Sequence, residues 1–126
     1  MKLLVVDDSS IIRKVIKAAA DALRMETEEA RDGIEALETL SKIHKEIGLI
    51  LLDWNMPEMN GYDVLVEIKS NDKYKDIPVI MVTTEGQKNN IVAAVRAGAA
   101  NYLTKPFTVE QLETKIIECI GGEGDF

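Results

Sequence analysis

Short unbroken apolar runs alternate with segments of helical periodicity along the chain. The clearest runs cover residues 3–6, 49–52 and 79–82, and weaker ones lie around residues 27–30 and 101–104. Unbroken apolar runs of this length are typical of parallel strands that are covered on both faces. The alternation therefore predicts five strands of a buried parallel sheet, with a helix after each strand.

Apolar residues recur at helical spacing between these runs. The predicted stripes are Ile11, Val15, Ala19 and Leu23; Ile34, Leu37, Leu40, Ile43 and Ile47; Ile91, Val92 and Val95; and Leu112, Ile116 and Ile120. A fifth helix is predicted over residues 63–70, after the turn Asn60-Gly61. Asp32 with Glu35, and Thr108 with Gln111, have capping-box spacing, and Gly98 is predicted to end the fourth helix. The order predicts an α/β fold with helices on both faces of the sheet and right-handed crossovers.

The composition fits a single folded domain. The chain has 126 residues, of which 46% are hydrophobic and 29% charged, which argues against a disordered or fibrous chain. We expect one domain over residues 1–126 with no attached effector, its core spanning about residues 2–120, and a tail at 121–126. Any output would then require contact with another protein.

The charge balance bears on partners and location. Lysine and arginine total 15 against 22 acidic residues, a net charge of −7, and no basic tract is present, so we expect no nucleic-acid partner. The apolar runs are too short for a signal peptide or a membrane span, so we expect no membrane insertion. One cysteine, Cys119, cannot form an internal disulfide. We therefore expect a cytoplasmic protein. We also expect a monomer.

Acidic residues directly follow two of the predicted strands. Asp7 and Asp8 follow the first, and Asp53 follows the third. Ligands of such sheets bind beyond the carboxyl ends of the strands. Neighbouring carboxylates there would repel by about 3 to 4 kcal/mol per close pair at an effective dielectric constant of about 20, so a cation is required. Oxygen ligands with free positions favour Mg²⁺. The alternative is that Asp8 caps the first helix and Asp53 merely ends a strand.

Two further strand ends supply groups that bind phosphate. The fourth strand ends at Thr83-Thr84, which offers a hydroxyl, and the fifth is followed by Lys105-Pro106, which offers an ammonium group. An aspartate that accepts a phosphoryl group needs a divalent cation, a lysine or a hydroxyl to neutralise the equatorial oxygens. The alternative makes Lys105 a solvated loop residue and Thr83 a helix cap. The combination favours a phosphoryl-accepting aspartate.

These residues resemble the receiver domains of two-component response regulators over residues 2 to about 120. The resemblance is carried by Leu4-Val5-Val6-Asp7-Asp8, Asp53-Trp54-Asn55-Met56-Pro57-Glu58-Met59-Asn60-Gly61, Thr83 and Lys105-Pro106-Phe107. Within the family the chemotaxis regulators are the most similar, because of residues 53–57, Tyr102 and Lys105-Pro106-Phe107-Thr108. The resemblance implies a flavodoxin-like three-layer fold with strand order 2-1-3-4-5.

The resemblance also implies roles for the site residues. Asp53 would accept the phosphoryl group from a sensor histidine kinase, and only self-directed phosphotransfer and dephosphorylation would occur, not enzymatic turnover. Lys105 would pair with the phosphoryl oxygens, and Thr83 would donate its hydroxyl to them.

The implied cofactor is Mg²⁺, with Mn²⁺ as its substitute. Asp8 and Asp53 would hold it directly, Asp7 through a metal-bound water, and Asn55 through its backbone carbonyl. The side chains of Asn55 and Glu85 would tune how readily water attacks the aspartyl phosphate.

One residue departs from the family pattern. Thr84 stands where receivers often have alanine or glycine. We expect its bulk to narrow the access to Asp53 and to slow the reaction with phosphodonors and phosphatases.

The implied output is a change of surface. Thr83 would move towards the phosphoryl group, the aromatic Tyr102 would enter the vacated space, and the face of helix 4, strand 5 and helix 5 would change shape. The implied output residues are Thr83, Tyr102, Lys88, Thr104 and Lys115. The partner would be a flagellar motor switch protein or another protein target, with a phosphatase as a further partner.

Other functions share this fold or parts of this pattern. A phosphorelay intermediate, a phosphate sink and a twitching-motility regulator share the same motifs. A Mg²⁺-dependent phosphatase of the haloacid dehalogenase type would need Asp-x-Asp after the first strand, but Ser9 follows Asp7 at that spacing. A flavin or nucleotide binder would need a glycine-rich loop after the first strand, and the chain has none there. We expect a surface role for His44 and a half-buried, unreactive Cys119.

Overall fold

A five-stranded parallel sheet forms the middle layer of the computed structural model, which describes residues 1–84 and 87–120. The strands are β1 (Lys2–Val6), β2 (Glu26–Ala30), β3 (Ile47–Asp53), β4 (Val79–Thr84) and β5 (Asn101–Lys105). They pair in the order β2-β1-β3-β4-β5. The predicted α/β class and the implied strand order are confirmed. Glu85 and the predicted tail at 121–126 lie outside the described residues.

Within residues 1–84 and 87–120, five helices cover the two faces of this sheet. They are α1 (Ser10–Ala22), α2 (Gly33–Ile43), α3 (Gly61–Lys69), α4 (Lys88–Arg96) and α5 (Val109–Ile120). None of these helices combines the length and the apolar composition that crossing a membrane requires.

Successive side chains of the central strand point to opposite faces, which gives two separate cores. In β3, Ile50 and Leu52 pack with α2, α3 and α4, whereas Leu49 and Leu51 pack with α1 and α5. All four of these side chains are at most 1% exposed. Burial on both faces explains why the inner strands β1, β3 and β4 are apolar runs rather than alternating ones.

Side-chain caps fix several helix starts. The Oδ1 of Asp32 accepts a hydrogen bond from the backbone N of Glu35 (2.8 Å), and the side chain of Asn60 caps α3. Thr108 and Gln111 form a complete capping box, each side chain accepting from the backbone N of the other at 3.0 and 2.9 Å. These contacts satisfy amides that a helix cannot pair internally. The starts of α2 and α5 predicted from these residues are confirmed, whereas α3 begins at Gly61, two residues before the predicted start at residue 63.

The buried stripe of α1 differs from the predicted one. Ile11 is 73% exposed and Val15 is 36% exposed, whereas Ile16 and Ala20 are buried. The sequence holds two apolar stripes one residue apart, and both have a four-residue spacing. The prediction is wrong for Ile11 and Val15, whereas Ala19 is buried and Leu23 packs against the core. Spacing alone cannot decide which of two adjacent stripes faces the sheet.

Two further helical predictions need correction. Ile47 starts β3 rather than ending α2, because the 3₁₀ turn His44–Glu46 stops the helix before it. In α4, Val92 and Val95 are 49% and 56% exposed, and Ala94 is the residue that reaches the core. The small side chain of Ala94 therefore attaches α4 to the core, whereas the prediction placed a stripe of Ile91, Val92 and Val95 there. Gly98 follows α4 with a φ of +105°, as predicted for a C-terminal glycine.

Candidate functional site

Three carboxylates meet at the carboxyl edge of the sheet. Because Val6 of β1 lies beside Leu52 of β3, the residues that follow, Asp7 and Asp53, become neighbours. One carboxylate oxygen from each of Asp7, Asp8 and Asp53 lies within 4.8 Å of the others. Asp7 and Asp53 are each 2% exposed, whereas Asp8 is exposed. The acidic cluster predicted from the sequence is therefore present at the predicted edge.

Lys105 reaches this cluster from the end of β5. Its Nζ lies 2.9 Å from Oδ2 of Asp7 and 3.3 Å from Oδ1 of Asp53. The Lys105–Pro106 peptide is cis. Burial lowers the pKa of Lys105, but hydrogen bonds and charge from both aspartates outweigh burial and hold the pKa above its usual value. Lys105 is a protonated bridge between two carboxylates, not a solvated loop residue.

The ionisation of Asp53 reflects its burial first and the charges around it second. Burial, together with the negative charge of Asp7, raises the pKa of Asp53 to about 6, while Lys105 and the backbone N of Asn55 act in the opposite direction. Three carboxylates thus face one ammonium group. A divalent cation that prefers oxygen ligands fits this excess of negative charge.

The alternative roles of Asp8 and Thr83 are not found. Ser9, not Asp8, caps α1, since its Oγ accepts from the backbone N of Ile12 at 3.3 Å. Thr83 lies inside β4 rather than at a helix start. Its side chain is buried, and its Oγ1 has no hydrogen-bond partner among residues 1–84 and 87–120. A buried hydroxyl without a partner costs about 1 to 3 kcal/mol, which a phosphoryl oxygen placed beside it would relieve.

Thr84 and Asn55 lie against each other at the mouth of the site. The Nδ2 of Asn55 donates to Oγ1 of Thr84 at 3.0 Å, and both residues are exposed. The backbone N of Asn55 also contacts Oδ1 of Asp53 at 3.4 Å. The structure therefore joins Asn55, which the resemblance assigned to tuning, to Thr84, which departs from the family pattern. Glu85 lies outside the described residues.

The predicted output residues lie along β4, β5 and the adjoining helices. Tyr102 is 37% exposed, and Nζ of Lys115 lies 4.9 Å from the centre of its ring. Thr104 pairs with Thr83 across β4 and β5. Lys88 is the exposed first residue of α4. Tyr102 and Lys115 thus form one contact, and Thr104 is next to the strand end that carries the buried hydroxyl.

The contacts of two residues of the site were not predicted from the sequence. Arg13 donates from Nη1 to the backbone carbonyl of Asp7 at 2.7 Å. A Cβ at Gly61 would overlap the backbone carbonyl of Asp53, so this position requires glycine. The turn Asn60-Gly61 was a signal for a helix start, but neither contact has a signature in the local sequence.

Trp54 anchors the loop that follows Asp53. Its ring packs against the core beside α3 and lies 5.5 Å from the ring of Tyr62. His44 is half-buried beside Tyr74, and Cys119 is half-buried on α5, where burial raises the pKa of its thiol. These two side chains lie on elements outside the acidic cluster.

Comparisons with known proteins agree on one family. Residues 3–117 match the model of the response regulator receiver domain. A chemotaxis protein CheY homolog of Campylobacter jejuni is 44% identical, over 98% of this chain and 98% of that protein. Chemotaxis protein CheY1 of Helicobacter pylori is 45% identical, over 96% of this chain and 98% of that protein.

Solved structures show the same likeness. Chemotaxis response regulator CheY4 of Vibrio cholerae has a TM-score of 0.87 at 33% identity, covering 94% of this chain and 98% of that one. The receiver domain of NtrX from Brucella abortus has a TM-score of 0.86 at 28% identity, covering 95% of this chain and 98% of that one.

Proposed function

This chain belongs to the response regulator receiver domain family, and we propose that it is a switch operated by phosphorylation of Asp53. The resemblance predicted from the sequence is confirmed. The chain is a signalling protein of the CheY type rather than a classical enzyme.

One observation carries the proposal. The buried carboxylate of Asp53 lies within reach of Asp7, Asp8 and Lys105, beside strand β4. In β4, the buried hydroxyl of Thr83 has no hydrogen-bond partner among the described residues. In the proposed reaction, an oxygen of Asp53 bonds to phosphorus while the bond from phosphorus to the histidine nitrogen of a sensor kinase breaks. The histidine keeps the electron pair of that bond. Lys105 and Thr83 then neutralise and bind the phosphoryl oxygens.

The acidic cluster would also hold Mg²⁺, or Mn²⁺ in its place. We propose that Asp8 and Asp53 bind it directly, Asp7 through a water, and Asn55 through its backbone carbonyl. When bound, the cation supplies positive charge that offsets the carboxylates and the phosphoryl oxygens. The carboxylate separation and the raised pKa of Asp53 support this assignment.

We propose that the signal leaves through the surface of α4, β5 and α5. The hydrogen bond from Thr83 exists only with the phosphoryl group, so it can shift the population towards a second arrangement of Tyr102. Lys88, Thr104 and Lys115 would contact the partner. The half-exposed ring of Tyr102, held by Lys115, supports its assignment to this surface.

The relatives point to a pathway. Their names place them in chemotaxis, so we propose a chemotaxis sensor kinase upstream and a flagellar motor switch protein downstream, with a phosphatase as a further partner. The match over 98% of the length of those relatives supports a single-domain regulator. We propose that it acts as a monomer in the cytoplasm. A phosphorelay intermediate, a phosphate sink and a twitching-motility regulator are the alternatives within the family.

Labelling tests the acceptor. Acetyl phosphate with Mg²⁺ should label the chain, Asp53→Asn should abolish the label, and a chelator should abolish it in the parent. Asp72→Asn is the matched control, because its side chain is 95% exposed and pairs only with Lys75 among the ion pairs of the described residues. Persistent labelling of Asp53→Asn would overturn the assignment.

Partner capture tests the pathway. The chain should bind a flagellar motor switch protein more tightly with beryllofluoride, which mimics an aspartyl phosphate, than without it. Recovery of a transcriptional or enzymatic partner alone would contradict the motor proposal and leave the acceptor proposal standing.

A further inference from the structure

Asp7 is held at each of its polar atoms, by groups from four different segments. Its backbone N donates to the carbonyl of Ala30 at 3.1 Å, and its Oδ1 accepts from the backbone N of Ser9 at 2.8 Å. Its Oδ2 accepts from Lys105 at 2.9 Å, and its carbonyl accepts from Nη1 of Arg13 at 2.7 Å. Asp7 is therefore a fixed point of the acidic cluster, and Arg13 is the contact that fixes its carbonyl.

That carbonyl belongs to the peptide that joins Asp7 to Asp8. Asp8 is exposed, and its carboxylate makes no hydrogen bond to the rest of the described chain. The direction of the Asp8 side chain therefore depends on its backbone, and the backbone is oriented by the peptide that Arg13 holds. A contact to Asp7 thus places the carboxylate of Asp8.

Arg13 is itself oriented by Glu29 on the edge strand. Its Nε donates to Oε1 of Glu29 at 3.0 Å, and its side chain is only 17% exposed. The planar guanidinium thus uses two nitrogens in fixed directions. One donates to the carbonyl of Asp7, directly after β1, and the other donates to Glu29 in β2. A lysine could keep the charge but could not make both contacts with the same geometry.

We propose that Arg13, oriented by Glu29, is a positioning residue for cation binding at Asp7, Asp8 and Asp53. It acts through the Asp7–Asp8 peptide and touches neither the cation nor the phosphoryl group. The inference rests on the proposed function, since it concerns the metal that this function requires.

Charge and positioning predict opposite effects at this residue. The positive charge of Arg13 repels a cation bound at the three carboxylates. On Coulomb interactions alone, loss of that charge should therefore strengthen the binding of a divalent cation. Loss of the hydrogen bond that orients the Asp7–Asp8 peptide should weaken binding, and residues that orient metal ligands typically change affinity by about 10- to 100-fold. The sign of the effect separates the two explanations.

The experiment is a titration with Mg²⁺ alone at constant ionic strength. Binding is measured by calorimetry and by the fluorescence of Trp54, which adjoins Asp53. Arg13→Gln should raise the Kd for Mg²⁺ about tenfold. Arg13→Lys, which keeps the charge, should also raise it. Adding Glu29→Gln to Arg13→Gln should change the Kd little further, because Glu29 acts through Arg13.

Lys17→Gln is the matched control. Lys17 lies one turn further along α1, carries the same charge and pairs with Asp21 at 3.4 Å. Its Kd for Mg²⁺ should stay within about twofold of the parent, as expected for a screened surface charge. Thermal unfolding of each variant shows that the titrations are made on folded protein.

Equal or tighter binding by Arg13→Gln, or unchanged binding by Arg13→Lys, would overturn the inference. If the parent chain is labelled at Asp53 but the Arg13 variants bind Mg²⁺ with the same Kd as the parent, the proposed function stands and only the role of Arg13 is lost. A parent chain that binds no Mg²⁺ would overturn the metal site itself, and the role of Arg13 with it.

Discussion

Gly61 sets how closely the loop after Asp53 can return to the end of β3. Its backbone N donates to the carbonyl of Trp54 at 2.8 Å, and a Cβ would overlap the carbonyl of Asp53. Gly61→Ala must therefore displace the backbone of Asp53 or of the loop that follows it. We expect a loss of about 1 to 3 kcal/mol in the free energy of unfolding, measured in urea, and slower labelling by acetyl phosphate.

Gly48→Ala is the control for this prediction. Its added Cβ would meet the side chain of Met1, which is 66% exposed and can move aside. Equal losses of stability in the two variants would show that the close approach at Asp53 has no special cost.

Thr84 is predicted to slow the chemistry at Asp53. Thr84→Ala removes bulk from the mouth of the site and the hydroxyl that Asn55 contacts. We expect phosphorylation and decay rates to rise about three- to tenfold, a barrier change of about 0.7 to 1.4 kcal/mol. Thr84→Val keeps the volume and should stay slow. If both rates of Thr84→Ala match the parent, Thr84 has no such role.

The site residues differ in how far the sequence could predict them. Asp7 directly follows the apolar strand β1, Asp53 is the last residue of β3, and Lys105 is the last residue of β5. The edge rule for parallel sheets brings such residues together. Arg13 and Gly61 contribute through backbone carbonyls, which belong to every residue and leave no pattern in the chain. Their roles depend on distances between elements, so only the folded chain reveals them.

At the scale of elements, α4 is the helix with the smallest buried face. Ala94 is its buried residue, and its two larger apolar side chains, Val92 and Val95, are exposed. The α5 helix, in contrast, buries Leu112 and Ile116. The strand predictions were clearest for β1, β3 and β4, because a strand covered on both faces is apolar at nearly every position. A helix stripe leaves the rotation of the helix open, as α1 and α4 both show.

This difference predicts unequal local stability. Few buried apolar contacts lower the free energy of local opening, so the amides of α4 should exchange hydrogen faster than those of α5. Hydrogen exchange followed by mass spectrometry measures both helices in one sample. Protection factors for α4 equal to those for α5 would contradict the prediction and would show that contacts other than side-chain burial stabilise α4.

At the scale of the whole molecule, acidity is not confined to the acceptor site. The edge strand β2 carries Glu26, Glu28 and Glu29, and Lys2 and Arg13 pair with them. Charged side chains on an exposed edge discourage pairing with the edge of another sheet. The net charge of −7 thus includes an acidic cluster at the carboxyl edge of the sheet and a charged edge strand that discourages pairing with a second sheet.

The two cores predict a specific pattern of stability. Leu40 on α2 belongs to the core on one face of the sheet and Ile116 on α5 to the core on the other, and each is 0% exposed. Leu40→Ala should cost about 2 to 5 kcal/mol and Ile116→Val about 1 kcal/mol. Because the sheet separates them, the double variant should lose the sum of the two within about 0.5 kcal/mol.

Urea unfolding of the four chains, followed by circular dichroism and by Trp54 fluorescence, measures this sum. Trp54 reports the α2, α3 and α4 face, whereas circular dichroism reports all elements, so coincident transitions would show that both cores unfold together. A double variant in which Trp54 unfolds apart from the rest would mean that the sheet does not couple the two layers. Asp7, Asp53 and Lys105 lie at the carboxyl edge of this sheet. If the sheet unfolds as one unit with both cores, the distances among these three side chains are kept when a substitution weakens either layer of helices.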